Sequence, residues 1–414
     1  MHAVLSRSQR ATSTSIRTFA IASSNALHLV AHLVKSNDKM THVCRQPLRQ
    51  FKENKGVREV CVVGVAVAAL TALATKDARC EPIEQEDKQD GDSTCNLWDG
   101  NTKSDNMPIY FDTEYEAKKL LGCGAFGLVM QCVHKQTGRI AAVKMVQDLE
   151  GSQEEVKREK QALECFKRAG GHTSIVGYEG SYYHNDFHYI VLEYVPGMSL
   201  HSYMDKHHLL DTTLSLQLVS QLASALQFMH KAGIVHCDLK PENVMVLVTR
   251  DNKRHSDPHK EKITLKLIDF GSVSRNPQLA LKDKSCTVSL SGTRCYWSPE
   301  ALEYQTMTPA MDMWALGCIL YILISGHHPF DLTGSSSEDT ILQRVKKSPN
   351  ALSFISPVWN HVSIETKELI GGLLEKDPNC RLSADQVLQH SAIIAATQDD
   401  LIVKELHFDN VKIH

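Results

Sequence analysis

The chain has no Cys-x-x-Cys pair and no grouping of Cys and His at zinc-like spacing, although twelve cysteines are spread over its 414 residues. In a chain this large that argues against a disulfide scaffold, and free thiols are the expected state. Net charge is nearly absent, at −3, which argues against a general nucleic-acid binder and selects no partner by sign. Acid is scarce in the first 50 residues, where Asp38 alone faces seven Lys or Arg. No apolar run follows the first basic residues, so the start does not read as a secretory signal. What remains is ordinary: 42% hydrophobic and 22% charged residues, with room for more than one folding unit.

The front end differs in character from the rest. At 100° per residue, Arg7, Arg10 and Arg17 fall within roughly an 80° arc, with Val4, Leu5, Ile16 and Phe19 on the other side. An acid-poor, Ser-rich, Arg-bearing amphipathic start over residues 1–50 resembles a mitochondrial presequence; a tail with fortuitous arginines is the plainer alternative. Residues 60–75, from Val60 to Thr75, carry no charge and are bracketed by Lys52, Lys55 and Arg58 before, and Lys76 and Arg79 after. The run is short of the about 20 apolar residues a spanning helix needs, and flanking lysines that snorkel could make up the difference. A membrane anchor or stop-transfer segment, a cleaved sorting signal and a helix packed on the globular domain all stay open. Together the two segments resemble a bipartite signal for the mitochondrial inner membrane or intermembrane space, with the cytoplasm or another membrane as the alternative. Residues 81–108 hold eight acids, two lysines and little apolar bulk, and read as a flexible tether.

Chemistry concentrates in His236-Cys237-Asp238-Leu239-Lys240-Pro241-Glu242-Asn243. Within six residues this stretch offers a carboxylate to take a hydroxyl proton, an ammonium to balance phosphoryl charge and a carboxamide to hold a metal ion. Phosphoryl transfer needs those three jobs, because its catalysis is mostly positioning and charge neutralisation. Upstream, Gly122-Cys123-Gly124-Ala125-Phe126-Gly127 is followed by the β-prone run Leu128 to Val133 and a Thr137-Gly138 turn. A dinucleotide-binding fold would place a helix there; two strands joined by a glycine-rich turn make a lid for phosphates instead. Ile140 to Val146 is an apolar strand interrupted by Lys144. Gln153 to Arg168 is amphipathic, with Val156, Leu163 and Phe166 on one face, and Glu159, Glu154 and Glu155 compete as partners for Lys144. Tyr189 to Val195 is a buried-type strand, and Asp211 to Ala232 keeps a helical period through Leu214, Leu218, Leu222, Ala225, Phe228 and Met229. Val244 to Val248 is a short strand, and Arg250 to Lys262 a solvated polar insert. Ile263 to Ile268 then leads into Asp269-Phe270-Gly271, whose carboxylate at a strand end suits magnesium.

These stretches resemble, in order, the signatures of the protein kinases from about Tyr110 to Ala396. The catalytic loop matches His-Arg-Asp-Leu-x-x-x-x-Asn, with Cys237 in place of the arginine. Lys144 matches Val-Ala-Ile-Lys. The stretch Ser291 to Glu300 matches the close of an activation segment with Ser298 for the usual Ala, and Asp312 and Arg381 follow at the expected places. Lys240 two residues after the base is the serine/threonine pattern, and Asp-Leu-Lys-Pro-Glu-Asn with Gly-His-His-Pro-Phe looks most like the calcium/calmodulin-dependent group. The resemblance implies an α+β, bilobal fold, with a small β-rich and a large helical lobe over residues 110–396 and a tail at 397–414. It implies an ATP-dependent protein serine/threonine kinase using Mg²⁺. Asp238 is then the base, Lys240 a charge balancer, Lys144 the phosphate ammonium oriented by Glu159, and Asn243 and Asp269 the metal ligands. ATP would meet Leu121, Gly122, Cys123, Gly124, Gly127, Val129, Ala142, Lys144, Met245 and the hinge from Glu193 to Val195, with Leu192 as gatekeeper. Glu242 would favour a basic residue near the target hydroxyl.

Two rivals belong to other classes. A pseudokinase would lack Lys144, Asp238, Asn243 or Asp269, all of which are present. A small-molecule kinase would have no use for the Ser291 to Glu300 stretch, which in protein kinases forms a peptide platform.

Overall fold

Alternating burial along short strands builds the first of two compact units. The computed structural model describes residues 111–123, 127–149, 151–184, 186–207, 209–250, 261–275, 294–331, 334–347, 352–355 and 357–398. The expected presequence, the uncharged segment 60–75, the acidic tether, Gly124, most of the polar insert, Ser285, Thr287, Ser289 and nearly all of the tail lie outside the described residues. Among the described residues no helix is long and apolar enough to cross a membrane. One unit comprises the residues up to Val156 together with Tyr178–Tyr194; the other comprises Lys157–Gly177 and everything from Val195.

In the first unit a single helical turn, α1 (Phe111–Glu114), precedes β1 (Tyr115–Cys123), β2 (Gly127–His134) and β3 (Ile140–Gln147). Helix α2 (Ser152–Arg168), which from Lys157 on belongs to the other unit, comes before β4 (Tyr178–His184) and β5 (Phe187–Glu193). The sheet order is β1-β2-β3-β5-β4, antiparallel throughout, so the glycine-rich stretch does join two paired strands. One face is closed by Leu128, Met130, Cys132, Val143, Met145, Tyr189 and Val191. Phe111 lies on this face, stacked 4.4 Å from Tyr189 and 5.4 Å from Tyr115. Ring pairs of this kind add about 0.5–1.5 kcal/mol each beyond the area they bury. Burial pushes the Cys132 thiol up to about 12, which makes it an inert core residue. β5 stops at Glu193, two residues short of the expected Val195, because Pro196 and Gly197 take the chain out of the sheet.

The second unit is mostly helical. β6 (Met198–Ser199) and α3 (Leu200–His207) lead to α4 (Thr212–Lys231). Asp211, expected as the first helical residue, is the N-cap: its carboxylate accepts from Thr213 N at 2.9 Å and Leu214 N at 3.3 Å. Then follow β7 (Ile234–Val235), β8 (Val244–Arg250), β9 (Glu261–Leu267) and β10 (Ser274–Arg275). β8 and β9 pair from Val244↔Leu267 out to Arg250↔Glu261, so the polar insert is shorter than its composition suggested. Backbone pairing continues there because one face is open to water, as the exposed Val248 shows. Helices α5 (Pro299–Tyr304) and α6 (Pro309–Ser325) come next, and α6 is buried from Met311 to Ser325. α7 (Glu338–Lys347), α8 (Ile364–Leu373) and α9 (Ala384–Leu388) complete the unit. Gln221 on α4 ties this body to β9, donating to Ile263 O at 3.0 Å and accepting from Leu265 N at 2.9 Å.

Candidate active site

The first unit offers one face of its sheet. Strand register sets Lys144 beside Val129 on one side and Ile190 on the other, and Ala142 beside Leu192. Side chains alternate, so Val129, Ala142, Lys144, Ile190 and Leu192 share the face opposite the aromatic core. Gly122 pairs with Val129 at the start of the glycine-rich turn, and Leu121 next to it is exposed. Of the expected nucleotide residues the sheet therefore gathers Gly122, Val129, Ala142 and Lys144; Glu193 ends β5 opposite Ala141. The Cys123 side chain lies outside the described residues. Gly127 has a reason of its own. A Cβ there would stand 1.9 Å from the Met145 carbonyl oxygen, so the sheet requires glycine at that point whatever it binds.

The second unit carries the catalytic stretch. β7 delivers Val235, and the chain then turns sharply, with Cys237 at φ 66°. A left-handed non-glycine residue is strained by the order of 1–2 kcal/mol and must be held by its surroundings. Asp312 on α6 does this, with Oδ2 accepting from His236 N at 2.8 Å and Oδ1 from Cys237 N at 2.9 Å. His230 on α4 adds a third contact, Nε2 to Asp312 Oδ2 at 2.9 Å. Beneath the turn the His236 ring is fully buried 5.5 Å from Phe270, which in turn lies 5.3 Å from Phe166. A lone carboxylate in a helix buried on all sides must have such partners; that was the signal available in the sequence for the role of Asp312.

Beyond the turn the three chemical groups meet. Lys240 Nζ lies 2.6 Å from Asp238 Oδ2. Asn243 Nδ2 donates to Asp238 O at 2.9 Å and to Asp238 Oδ2 at 3.0 Å. Two donors on one carboxylate fix its orientation, and the amide's carbonyl end, Oδ1, is turned away from Asp238. Ile268 N donates to Asn243 O at 3.1 Å, which brings Asp269 alongside Asn243, and Asp269 Oδ1 accepts from Gly271 N at 3.2 Å. An amide oxygen and a carboxylate on neighbouring segments are hard donors suited to Mg²⁺, which fills its other positions with water and substrate phosphate. Among the described residues no group of three His, Cys, Asp or Glu could hold a metal ion. Met245 is half-buried on β8, opposite Ser199 and Lys266, and Val195 is buried. Of the three glutamates on α2 that compete as partners for Lys144, Glu159 is fully buried, Glu154 exposed and Glu155 half-buried.

A third group lies after the activation segment. Arg381 Nη1 and Nη2 meet Glu300 Oε1 and Oε2 at 2.6 and 3.0 Å, and Arg381 also lies over the Trp314 ring at 5.1 Å. The resemblance that singled out Arg381 implies this pairing with Glu300. Trp297 and Ala301 pack with Val235, Cys237, Met307 and Met311 in one buried cluster behind the catalytic stretch.

Comparison with known proteins agrees with this geometry. The family model for the protein kinase domain matches residues 115–393. The serine/threonine-protein kinase PKZ1 of Phytophthora infestans is 38% identical over 290 residues, covering 67% of this chain and 70% of the relative. A calcium/calmodulin-dependent protein kinase type II of Caenorhabditis elegans is 31% identical over 285 residues, 69% of this chain and 36% of the relative. The mouse serine/threonine-protein kinase DCLK3 is 32% identical over 281 residues, 67% of this chain and 33% of the relative. With the small β-rich unit, the larger helical unit and the serine/threonine-type catalytic loop, these matches make the chain a member of the eukaryotic protein kinase family, of the serine/threonine type.

Proposed function

We propose that this kinase moves the γ-phosphoryl of ATP to Ser or Thr hydroxyls of proteins with Asp238 as the proton acceptor and Lys240, Asn243, Asp269 and Lys144 as its supporting groups. The observation that carries this is the trio at the catalytic stretch, where Lys240 Nζ lies 2.6 Å and Asn243 Nδ2 3.0 Å from the same Asp238 oxygen. Asp238, held by both donors, aims at the substrate hydroxyl and takes its proton as the new P–O bond forms. Lys240 balances the charge that passes from the phosphoryl oxygens. Lys144 holds the α and β phosphates, and Glu159 is its proposed orienting partner. Asn243 and Asp269 would hold Mg²⁺, which supplies neutralisation of phosphate charge when bound. Gly122, Val129, Ala142 and Met245 would receive the nucleotide. A binding module without transfer has nothing in its favour, since every group that chemistry needs is present.

A second proposal concerns place. Residues 1–80 are proposed to direct the kinase to mitochondria and to associate it with a membrane there. The support is compositional: the Arg7, Arg10 and Arg17 face and the uncharged run from Val60 to Thr75.

The test of the chemistry is transfer from radiolabelled ATP to a degenerate Ser/Thr peptide library by the purified protein. Asp238→Asn and Lys144→Met should each lower turnover by about 10²–10³ while the thermal melt stays cooperative. Near-normal turnover by Asp238→Asn would remove the role given to that residue.

A further inference from the structure

The turn Arg294–Tyr296 follows the activation segment, and the chain from Trp297 on packs behind the catalytic stretch. Burial and the nearby Glu242 carboxylate both raise the Tyr296 hydroxyl, so the turn lies within electrostatic reach of the catalytic stretch itself. Trp297, the next residue, packs in one cluster with Cys237, which precedes Asp238, so the turn adjoins the place where a peptide must present its hydroxyl.

Two side chains from later in the sequence grip that turn. Glu338, the first residue of α7, accepts from Arg294 N at 3.1 Å through Oε1. His328, in the loop after α6, has Nε2 3.1 Å from the Cys295 carbonyl, while its Nδ1 accepts from Phe330 N at 3.3 Å. An Nδ1 that accepts leaves the proton on Nε2, so His328 is a neutral donor to Cys295 O. Burial drives its pKa down to about 4, in agreement with a neutral ring. The ring also meets Tyr296 edge-on at 5.8 Å. The loop bearing His328 is braced in turn: Ser325 Oγ donates to Tyr321 O at 2.7 Å and accepts from His327 N at 3.3 Å. One grip holds an amide and the other a carbonyl, on consecutive residues, and neither side chain belongs to the catalytic stretch.

We propose that His328 and Glu338 are positioning residues for the protein substrate, holding the Arg294–Tyr296 turn in the shape that docks the peptide backbone. The proposal rests on the kinase reading above. A preformed turn spares the substrate the cost of ordering it, so loss of a grip weakens peptide binding and leaves the nucleotide steps alone.

The experiment uses the full chain and a Ser-bearing peptide selected from a degenerate library with the unaltered enzyme. If the unaltered enzyme labels no peptide, the kinase reading itself fails before any variant is compared. His328→Phe keeps a ring but no donor, and His328→Gln restores an amide donor near the Nε2 position. Glu338→Ala removes the acceptor, and Glu338→Gln keeps an oxygen that accepts. His328→Phe and Glu338→Ala should each raise the peptide KM about tenfold, with the ATP KM within about twofold. His328→Gln and Glu338→Gln should recover most of the loss. Peptide KM values unchanged in both His328→Phe and Glu338→Ala overturn the proposal, as does an equal rise in the ATP KM. A His328→Gln enzyme as impaired as His328→Phe, with Glu338→Gln as impaired as Glu338→Ala, does so too, since the grips would then be general packing.

Discussion

Asp312 holds the backbone of Cys237 in a left-handed conformation, with its two carboxylate oxygens accepting from the His236 and Cys237 amides at 2.8 and 2.9 Å. Asp238 follows directly, so the aim of the catalytic carboxylate depends on a residue 74 positions downstream, on a different element. Asp312→Asn offers one oxygen where two were used and turns an amide group toward an amide. We expect it to fold and to lose most of kcat with little change in the ATP KM. Asp312→Ala leaves two buried amides unpaired, and each costs about 1–3 kcal/mol. Chemical denaturation and steady-state kinetics read the two effects separately. An Asp312→Asn enzyme with unaltered kcat would show that the turn holds itself.

Ser298 is the sequence's departure from the usual alanine, and the structure treats it as one. It is fully buried before α5, and its hydroxyl finds no hydrogen-bond partner among the described residues. A buried hydroxyl without a partner is destabilising by about 1–3 kcal/mol relative to a methyl of similar shape. Ser298→Ala should therefore raise the stability of the domain and leave turnover unchanged. A fall in the denaturation midpoint would mean the hydroxyl is satisfied after all.

The chemistry was legible because it is local. Asp238, Lys240 and Asn243 lie within six residues, and spacing alone brings a carboxylate, an ammonium and an amide together. The strand carrying Lys144 was legible by its apolar run, and α4 by its period. What the sequence concealed were contacts over long separations: Asp312 on the Cys237 turn, Glu338 on Arg294 N and His328 on Cys295 O. No periodicity encodes these, because they depend on where whole helices settle. The polar composition of residues 250–262 also misled, since a hairpin ladder needs only backbone groups and continues under polar side chains.

His328 also predicts a dependence on pH. Its pKa falls from an ordinary 6.5 to about 4 on folding, so the native state binds fewer protons than the unfolded chain between those values. Stability is then fully present above about pH 6.5 and is lost as pH falls through about 4. His172 is shifted the same way, by burial first and the Lys266 charge second, and acts in the same direction. Thermal melts of the unaltered protein and of His328→Gln between pH 7 and 4 isolate the first contribution. The variant should lose less stability over that interval, and parallel curves would count against a neutral, buried His328.

Residues 1–80 make a prediction that composition alone supports. A fusion of this stretch to a fluorescent reporter should accumulate in mitochondria, and Arg7, Arg10 and Arg17 changed together to Gln should release it. Carbonate extraction of the full chain tests the uncharged run: retention in the pellet is expected of an anchor. A diffuse reporter would end the targeting proposal, and full release by carbonate would end the anchoring one.

Cys237 occupies the place where kinases of this pattern usually carry an arginine, and its surroundings match the thiol. The side chain is 2% exposed and packs with Val235, Trp297, Ala301, Met307 and Met311. A guanidinium placed there would be desolvated among apolar groups unless an anion came to meet it. A phosphate on Ser285, Thr287 or Ser289 would therefore have lost its main receiver, and the apolar cluster ties the far end of the activation segment to the catalytic turn without one. We expect full activity from protein made in bacteria and treated with phosphatase, with mass spectrometry confirming an unmodified segment. Cys237→Ala keeps the cluster small and apolar and should remain active without phosphate, whereas Cys237→Arg should destabilise the domain by about 1–4 kcal/mol. Activity that collapses on dephosphorylation and returns with a phosphate on Ser285, Thr287 or Ser289 would show that another cation, Lys284 or Arg294, has taken the arginine's part.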